Sequence, residues 1–140
     1  MEIDLNDLLH ISFTGKLLVI SGGEPGIYAQ SEVIDLLNPS NSCKPWPDHP
    51  TGTLSSAGAL LNDKVILCGG ETPNGDDTYS SSSDCYLFTP TSVEHIHNLN
   101  VGSLYSAAIE FEGEVLYTGG YRYSKNSSKI QVHIVTISSF

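Results

Sequence analysis

Three short stretches of the sequence end in the same way: KLLVISGG (residues 16–23), KVILCGG (residues 64–70) and EVLYTGG (residues 114–120). In each stretch a charged residue precedes four or five residues that favour strands, and two glycines precede a polar loop. The first glycines of the pairs are 47 and 50 residues apart. The runs are short, lack helical spacing and are rich in Val, Ile, Leu and Tyr, which predicts strands. The paired glycines are Gly22, Gly23, Gly69, Gly70, Gly119 and Gly120.

The segments around these stretches repeat as well. A small-residue segment and a tight turn precede the second and third runs, and HISFTGK (residues 10–16) stands in the same place in the first unit. The turns hold Thr14-Gly15, Asn62-Asp63 and Glu112-Gly113, where residues that tolerate positive φ are needed. Beyond each glycine pair, a loop leads to another predicted strand. These third strands are predicted at residues 31–39, 84–90 and 129–137, and weaker fourth strands at 43–47 and 93–99. The sequence therefore predicts an all-β fold built from units of four strands joined by hairpins.

At ALLNDKVILCGG (residues 59–70) the sequence resembles the kelch repeat, and Trp46 and Tyr86 stand where that repeat carries its aromatic residues. The resemblance implies a partial kelch-type β-propeller of about three four-stranded antiparallel blades. The blades would span residues 9–50, 51–100 and 101–140 of a single segment over residues 1–140. Glycines suit a sharp strand exit close to a neighbouring backbone. The alternative is that the three pairs arose by chance among thirteen glycines.

Three units do not complete a propeller, because such rings typically need four to eight blades. The runs at residues 17–20 and 65–67 are apolar on both strand faces, which predicts a covering blade on each side. A terminal unit would leave one such face exposed. We expect a fragment of a longer propeller with additional blades, self-association into a homo-oligomer, or local shielding of the ends. The fragment is the simplest of these.

Composition limits the class of partner. Six Lys and Arg residues stand against sixteen Asp and Glu residues in 140, giving a net charge of −10. Nucleic-acid binding needs clustered cations and is not expected. No apolar run of about 18 residues is present, so no membrane insertion is expected either. The first twenty residues show no signal-peptide pattern.

The cysteines leave two alternatives open. Cys68 and Cys85 are predicted to face each other across one hairpin, within reach of a disulfide if the register agrees. They could equally be buried thiols of a cytosolic protein, with Cys43 a third. An oxidised pair would place the protein outside the reducing cytosol. The sequence around these cysteines also resembles a group of extracellular kelch-like proteins of invertebrates, so we favour an extracellular location over a cytoplasmic one.

No catalytic residue, metal site or cofactor is predicted. His95 and His97 would share one face of a regular strand, a spacing that can hold a metal. No third ligand lies within reach in the sequence, and two histidines on the polar face of an outer strand are the favoured interpretation. Kelch-type propellers include a copper oxidase, but nothing here matches its site residue by residue.

The loops after the glycine pairs all leave the same strand end and should cluster on one rim. The segment at residues 71–84 is the longest, and we interpret it as flexible rather than as a Ca²⁺ site at Asp76 and Asp77. The predicted function is a non-catalytic module that binds a protein partner at this rim. The alternatives are a fragment of an oxidase- or epimerase-like propeller enzyme, or an extracellular carbohydrate-binding propeller. The candidate binding residues, of types enriched in interface hot spots, are Tyr28, Tyr79, Tyr121, Arg122 and Tyr123.

Overall fold

A computed structural model describes residues 9–22, 26–38, 40, 43–122 and 132–135. Within these residues the chain forms antiparallel β-strands and no helix, so the all-β prediction is confirmed. It follows that these ranges hold no helix with the length and apolar character to cross a bilayer.

The strands form three main sheets and a short ribbon. Sheet 1 consists of β1 (Leu9–Phe13), β2 (Lys16–Gly22), β3 (Tyr28–Asp35) and β4 (Lys44–Trp46), in that spatial order. Sheet 2 begins with β5 (Ala57–Leu61) and β6 (Lys64–Cys68), and after the ribbon of β7 (Glu71–Pro73) and β8 (Tyr79–Ser81) it continues with β9 (Asp84–Phe88) and β10 (Val93–Asn98). Sheet 3 consists of β11 (Leu104–Phe111), β12 (Glu114–Tyr121) and β13 (Val132–Val135).

Each main sheet begins with a hairpin whose two turn residues both have positive φ. The φ angles are 46° and 73° at Thr14-Gly15, 50° and 60° at Asn62-Asp63, and 53° and 82° at Glu112-Gly113. Two positive φ values are what a two-residue hairpin turn needs to match the right-handed twist of its strands. The three turns predicted from the sequence therefore have the predicted backbone conformation.

The sheets pack face to face, with sheet 2 in the middle. Alternate residues of β6 point in opposite directions, so Val65 and Leu67 join Leu18 and Ile20 of sheet 1 in one apolar cluster. Ile66 and Cys68 pack on the other side of sheet 2, in a second cluster shared with sheet 3. All six side chains are at most 1% exposed. Sheet 2 is therefore covered on both faces, as its apolar sequence predicts.

Tyr117 fixes sheet 3 against sheet 2. Its side chain is buried with Val115 in the second cluster, and its hydroxyl donates a 3.1 Å hydrogen bond to the Ile66 carbonyl. Burial raises the pKa of the Tyr117 phenol. A buried hydroxyl needs such a partner, so this bond specifies how the two sheets meet.

Candidate functional site

The three main sheets place their glycine-rich strand ends side by side. Gly69 and Gly70 have φ angles of 72° and 91°, and Gly119 and Gly120 have 72° and 102°. In sheet 1 the matching pair of angles, 53° and 105°, belongs to Ser21 and Gly22. The sequence alignment, which paired Gly22 with Gly69 and Gly119, is therefore wrong by one residue in the first unit, and Gly23 lies outside the described residues.

In sheet 1 a serine occupies the position of the first glycine, and its hydroxyl oxygen accepts a hydrogen bond from the segment that leads into sheet 2. The amide of Thr53, just before sheet 2, donates a 2.6 Å hydrogen bond to Ser21 Oγ, and the Ser21 hydroxyl donates to the Tyr28 carbonyl. At the next junction the Gly70 amide donates a 2.7 Å bond to the Ser103 carbonyl. Each of these strand ends is thus joined to the segment that leads into the following sheet.

Three of the predicted tyrosines follow these strand ends, at one edge of the molecule. Tyr28 begins β3 and pairs with Gly22, Tyr121 ends β12, and Tyr79 begins β8 of the ribbon that follows β6. The three side chains are between 44% and 50% exposed, and Arg122 is exposed beside Tyr121. We call this edge, with Tyr28, Tyr79, Tyr121 and Arg122, the tyrosine rim. The fifth predicted residue, Tyr123, lies outside the described residues.

The segment interpreted as a flexible loop contains the β7–β8 ribbon instead. Glu71 pairs with Ser81 and Pro73 with Tyr79, and backbone bonds between Glu71 and Leu54 attach the ribbon to the lead into sheet 2. At its tip the Thr78 hydroxyl and amide both donate to Asp76 Oδ1. These bonds lower the pKa of the Asp76 carboxyl. The ribbon therefore gives Tyr79 a defined position.

Tyr105 also lies at this edge, and the sequence analysis did not select it as a candidate binding residue. It is 66% exposed, although its φ of 56° is unfavourable for a bulky residue. Its amide donates a 2.9 Å bond to the Ser55 carbonyl, and Ser55 has the same conformation in the preceding unit, with φ of 53°. The signal was in the sequence: TLSSA (residues 53–57) and SLYSA (residues 103–107) are 50 residues apart, which aligns Tyr105 with Ser55.

Cys68 and Cys85 are partners in the β6–β9 pairing and are joined by a disulfide bond. Both are buried at 1% and 0% exposure, whereas Cys43 is exposed and unbonded. Of the two alternatives for this pair, a disulfide or two buried thiols, the structure has the disulfide.

The two histidines of the H-x-H sequence do not share a strand face, and that part of the prediction is wrong. The pairing of β10 with β9 shifts between them, so His95 lies opposite Tyr86 and His97 opposite Cys85. Adjacent residues of β9 point to opposite faces, which separates the two imidazoles. Among the described residues no group of three His, Cys, Asp or Glu side chains could hold a metal ion.

On the sheet 1 side of β9 the side chains form a polar cluster. Asn98 Nδ2 donates a 2.7 Å bond to Asp84 Oδ1, and His95 Nε2 lies 3.6 Å from the same oxygen. The Tyr86 ring packs edge-on against His95, with centroids 5.5 Å apart. Burial, with Asp84 nearby, raises the pKa of Tyr86. Because Asp84 and His95 are nearly half exposed, the cluster is a surface network that links β9 to β10.

His49 lies between sheets 1 and 2 and is 3% exposed. Its ring is edge-on to Tyr86 with centroids 4.9 Å apart and stacked on Phe88 at 6.1 Å. Nδ1 accepts a 3.3 Å bond from the Thr51 amide. Burial lowers the pKa of the imidazole to about 4, with an opposing effect from the charge of Asp84. His49 is therefore a neutral packing residue at neutral pH.

No protein-family model matches the sequence, and no curated protein matches it either. Among solved structures, the fold is similar to that of YjhT, with a TM-score of 0.78 and 16% sequence identity. The match covers 93% of this chain and 42% of the YjhT chain, so this chain spans less than half the length of that protein. At this identity the likeness is one of fold.

Proposed function

We propose that the three main sheets are successive blades of a kelch-type β-propeller. Support comes from the repetition of backbone detail: each sheet starts with a turn of two positive φ angles, and its second strand ends in a further positive-φ pair. Sheet 1 has the order β1-β2-β3-β4, and sheet 2 has the same meander once the ribbon between β6 and β9 is set aside. Propeller blades are four-stranded sheets of this kind.

The chain would then act as a non-catalytic module that binds a protein partner at the tyrosine rim. The observation that carries this proposal is that Tyr28, Tyr79 and Tyr121 follow the glycine-rich ends of the three main sheets, each about half exposed. Tyr and Arg are enriched in protein interfaces, because they offer apolar area together with hydrogen-bonding groups. The strained, exposed Tyr105 adds a fourth aromatic ring to the same surface.

The disulfide supports an oxidising compartment for this function. Structural disulfides persist in secreted proteins and are rare in the reducing cytosol. The Cys68–Cys85 bond is buried between sheets 2 and 3, where it adds to the packing of the blade rather than exposing a reactive thiol. We therefore look for the partner among extracellular proteins.

The test is capture of partners from an extracellular protein mixture by the immobilised chain, identified by mass spectrometry. The rim variant is Tyr28→Ala/Tyr79→Ala/Arg122→Ala, which removes exposed side chains and should leave the melting temperature unchanged. We expect a protein that binds the natural chain to bind the rim variant at least tenfold more weakly.

Leu37→Ala is the matched control. Leu37 is 77% exposed and packs beside the turn at Gly15, at the opposite strand end from the tyrosine rim. The Leu37→Ala variant should capture the partner as well as the natural chain does, since it removes exposed apolar area away from the tyrosine rim. Equal capture by the natural chain and the rim variant would show that the rim is not the binding surface.

A further inference from the structure

The face of sheet 3 that points away from sheet 2 is largely exposed and mostly apolar, with Glu114 opposite Phe111 at the turn. Ile109 pairs with Leu116 and Ala107 with Thr118, so these side chains share that face, with Phe111 at its end. Ile109 and Phe111 are 60% and 57% exposed. We call this surface, with Ala107, Ile109, Phe111, Leu116 and Thr118, the outer face of sheet 3.

The same positions of sheet 2 are buried. Aligned by their turns, Ala57, Ala59 and Leu61 match Ala107, Ile109 and Phe111, and all three are less than 9% exposed because sheet 3 covers them. Ile66, which matches Leu116, is fully buried. The chain itself thus shows what covers such a face. On sheet 2 it is the next sheet of the same repeat, through the face that this next sheet turns towards sheet 2.

Gly69 and Gly119 occupy the same position in sheets 2 and 3, and their surroundings show the same difference between a covered and an uncovered sheet. A Cβ placed on Gly69 would lie 2.5 Å from the Ser103 carbonyl oxygen, which belongs to the lead into sheet 3. Gly119 has the same φ of 72°, but a Cβ there would meet no atom of the structure within 4 Å. The close approach that makes glycine necessary at position 69 has no counterpart at position 119 within the described chain.

The other end of the molecule carries a surface suited to cover this face. In sheet 1, Leu17, Val19 and Ile34 lie on the side away from sheet 2, and all three are only half-buried. By register they match Val65, Leu67 and Phe88, the residues of sheet 2 that cover sheet 1. We call this surface, with His10, Ser12, Leu17, Val19, Glu32 and Ile34, the outer face of sheet 1.

We propose that a second copy of this chain packs its sheet 1 outer face on the sheet 3 outer face of the first. A two-fold pair makes this contact twice and covers both end faces of both copies, which closes the assembly instead of extending it as a fibre. One copy spans 42% of YjhT, so two copies fit within a fold of that length. The closed pair rests on the propeller proposal above, because only a ring of blades returns sheet 3 of the second copy to sheet 1 of the first.

The first measurement is the mass of the purified full chain in solution, by light scattering coupled to size exclusion, over a hundredfold range of concentration. We expect twice the monomer mass of 15.1 kDa at the upper concentrations. A monomer throughout the range, or masses that grow without limit, would overturn the closed pair.

Two single variants then test the geometry. Ile109→Asp places a charge on the sheet 3 face, and Val19→Asp places one on the sheet 1 face. Each variant alone damages both contacts of a pair, so each should be monomeric, with circular dichroism confirming the native fold. A mixture of the two retains one undamaged contact, between Ile109 of the Val19→Asp copy and Val19 of the Ile109→Asp copy. The mixture should therefore form dimers that neither variant forms alone.

Leu37→Asp is the control, because it alters an exposed leucine on neither outer face and should leave the dimer intact. Dissociation by Leu37→Asp, or failure of the mixture to associate, would contradict the head-to-tail contact. The outcome is separable from that of the rim experiment, since the rim variant alters Tyr28, Tyr79 and Arg122, none of which is among the residues that define the two outer faces.

Discussion

At the scale of single residues, positive φ angles have two different physical causes in this chain. At the turns Asn62-Asp63 and Glu112-Gly113 the conformation depends on the two turn residues and the strands beside them. At Ser21 the positive φ accompanies a hydrogen bond from the amide of Thr53, 32 residues away. Positive φ at the strand ends therefore goes with contacts between repeats, whereas at the turns it is local.

Gly69→Ala should destabilise the protein far more than Gly113→Ala. Both glycines have positive φ, 72° and 82°, so each substitution pays the conformational penalty of about 1 kcal/mol in the free energy of unfolding. The added methyl at position 69 also meets the Ser103 carbonyl oxygen at 2.5 Å, whereas position 113 has open space around it. Chemical denaturation should show a total loss of roughly 3 kcal/mol or more for Gly69→Ala.

Gly113→Ala is the control for that experiment, since it keeps the φ penalty and lacks the close approach. Equal losses for the two variants would mean that the lead into sheet 3 does not lie against Gly69. The described contact between the end of β6 and the segment that leads into sheet 3 would then be absent in solution.

His49 should make the protein less stable in mild acid. Its imidazole has a pKa of about 4 in the folded chain, against 6.5 for an ordinary histidine. The unfolded chain therefore binds a proton below pH 6.5 that the folded chain does not bind until pH 4. Stability from this group is complete above pH 6.5 and falls as the pH is lowered towards 4, by about 3 kcal/mol in total.

The measurement is the free energy of unfolding as a function of pH for the natural chain and for His49→Gln. The variant should lose stability at neutral pH, because glutamine fills the space between Tyr86 and Phe88 poorly, but its decline between pH 6.5 and 4 should be shallower. An unchanged slope in His49→Gln would show that other groups cause the acid sensitivity.

At the scale of the elements, the apolar runs before the glycine pairs are strands, and the weak fourth strands exist as β4 and β10. Alternation and turn residues are local signals, so they were sufficient for these strands. The shift in β10 between His95 and His97 was not predictable, because it depends on how β10 aligns with β9. The β7–β8 ribbon was missed for a related reason: its polar residues resemble a loop, and its pairing with the lead into sheet 2 is not local.

The pairing of β6 with β9 predicts the outcome of a thiol titration. With Cys68 and Cys85 bonded, the denatured chain should react with one equivalent of a thiol reagent, at Cys43, and with three after reduction. The bond closes a loop with a sequence separation of 17 residues, so Cys68→Ala/Cys85→Ala should lower the free energy of unfolding by about 3 kcal/mol.

Cys43→Ala is the control, since that thiol is exposed and its loss should leave stability within about 0.5 kcal/mol. Three reactive thiols in the unreduced chain would contradict the disulfide. They would also remove the main support for an oxidising compartment.

At the scale of the whole molecule, the order of the sheets predicts an uneven distribution of stability. Sheet 2 is covered on both faces, whereas sheets 1 and 3 each have one outer face that the described chain leaves partly or largely exposed. Local opening is easiest where the fewest buried contacts must break. Amides of β6 should therefore exchange with solvent deuterium more slowly than those of β2 and β12, although all three strands occupy the same place in their sheets.

Hydrogen exchange measured at different protein concentrations separates the protection that a single chain provides from the protection that a second copy adds. In dilute solution, and in Ile109→Asp at any concentration, β11 and β12 should exchange faster than β5 and β6, as expected for an uncovered outer face. In the natural chain at high concentration, protection should rise in β11 and β12 and also in β1 and β2, because the head-to-tail contact covers both faces at once. Protection should change little in β6, which is already buried within one copy. A rise confined to sheet 3 would indicate that the two copies meet through the same face, and a uniform level in all three sheets would show that the stacking order does not determine local stability.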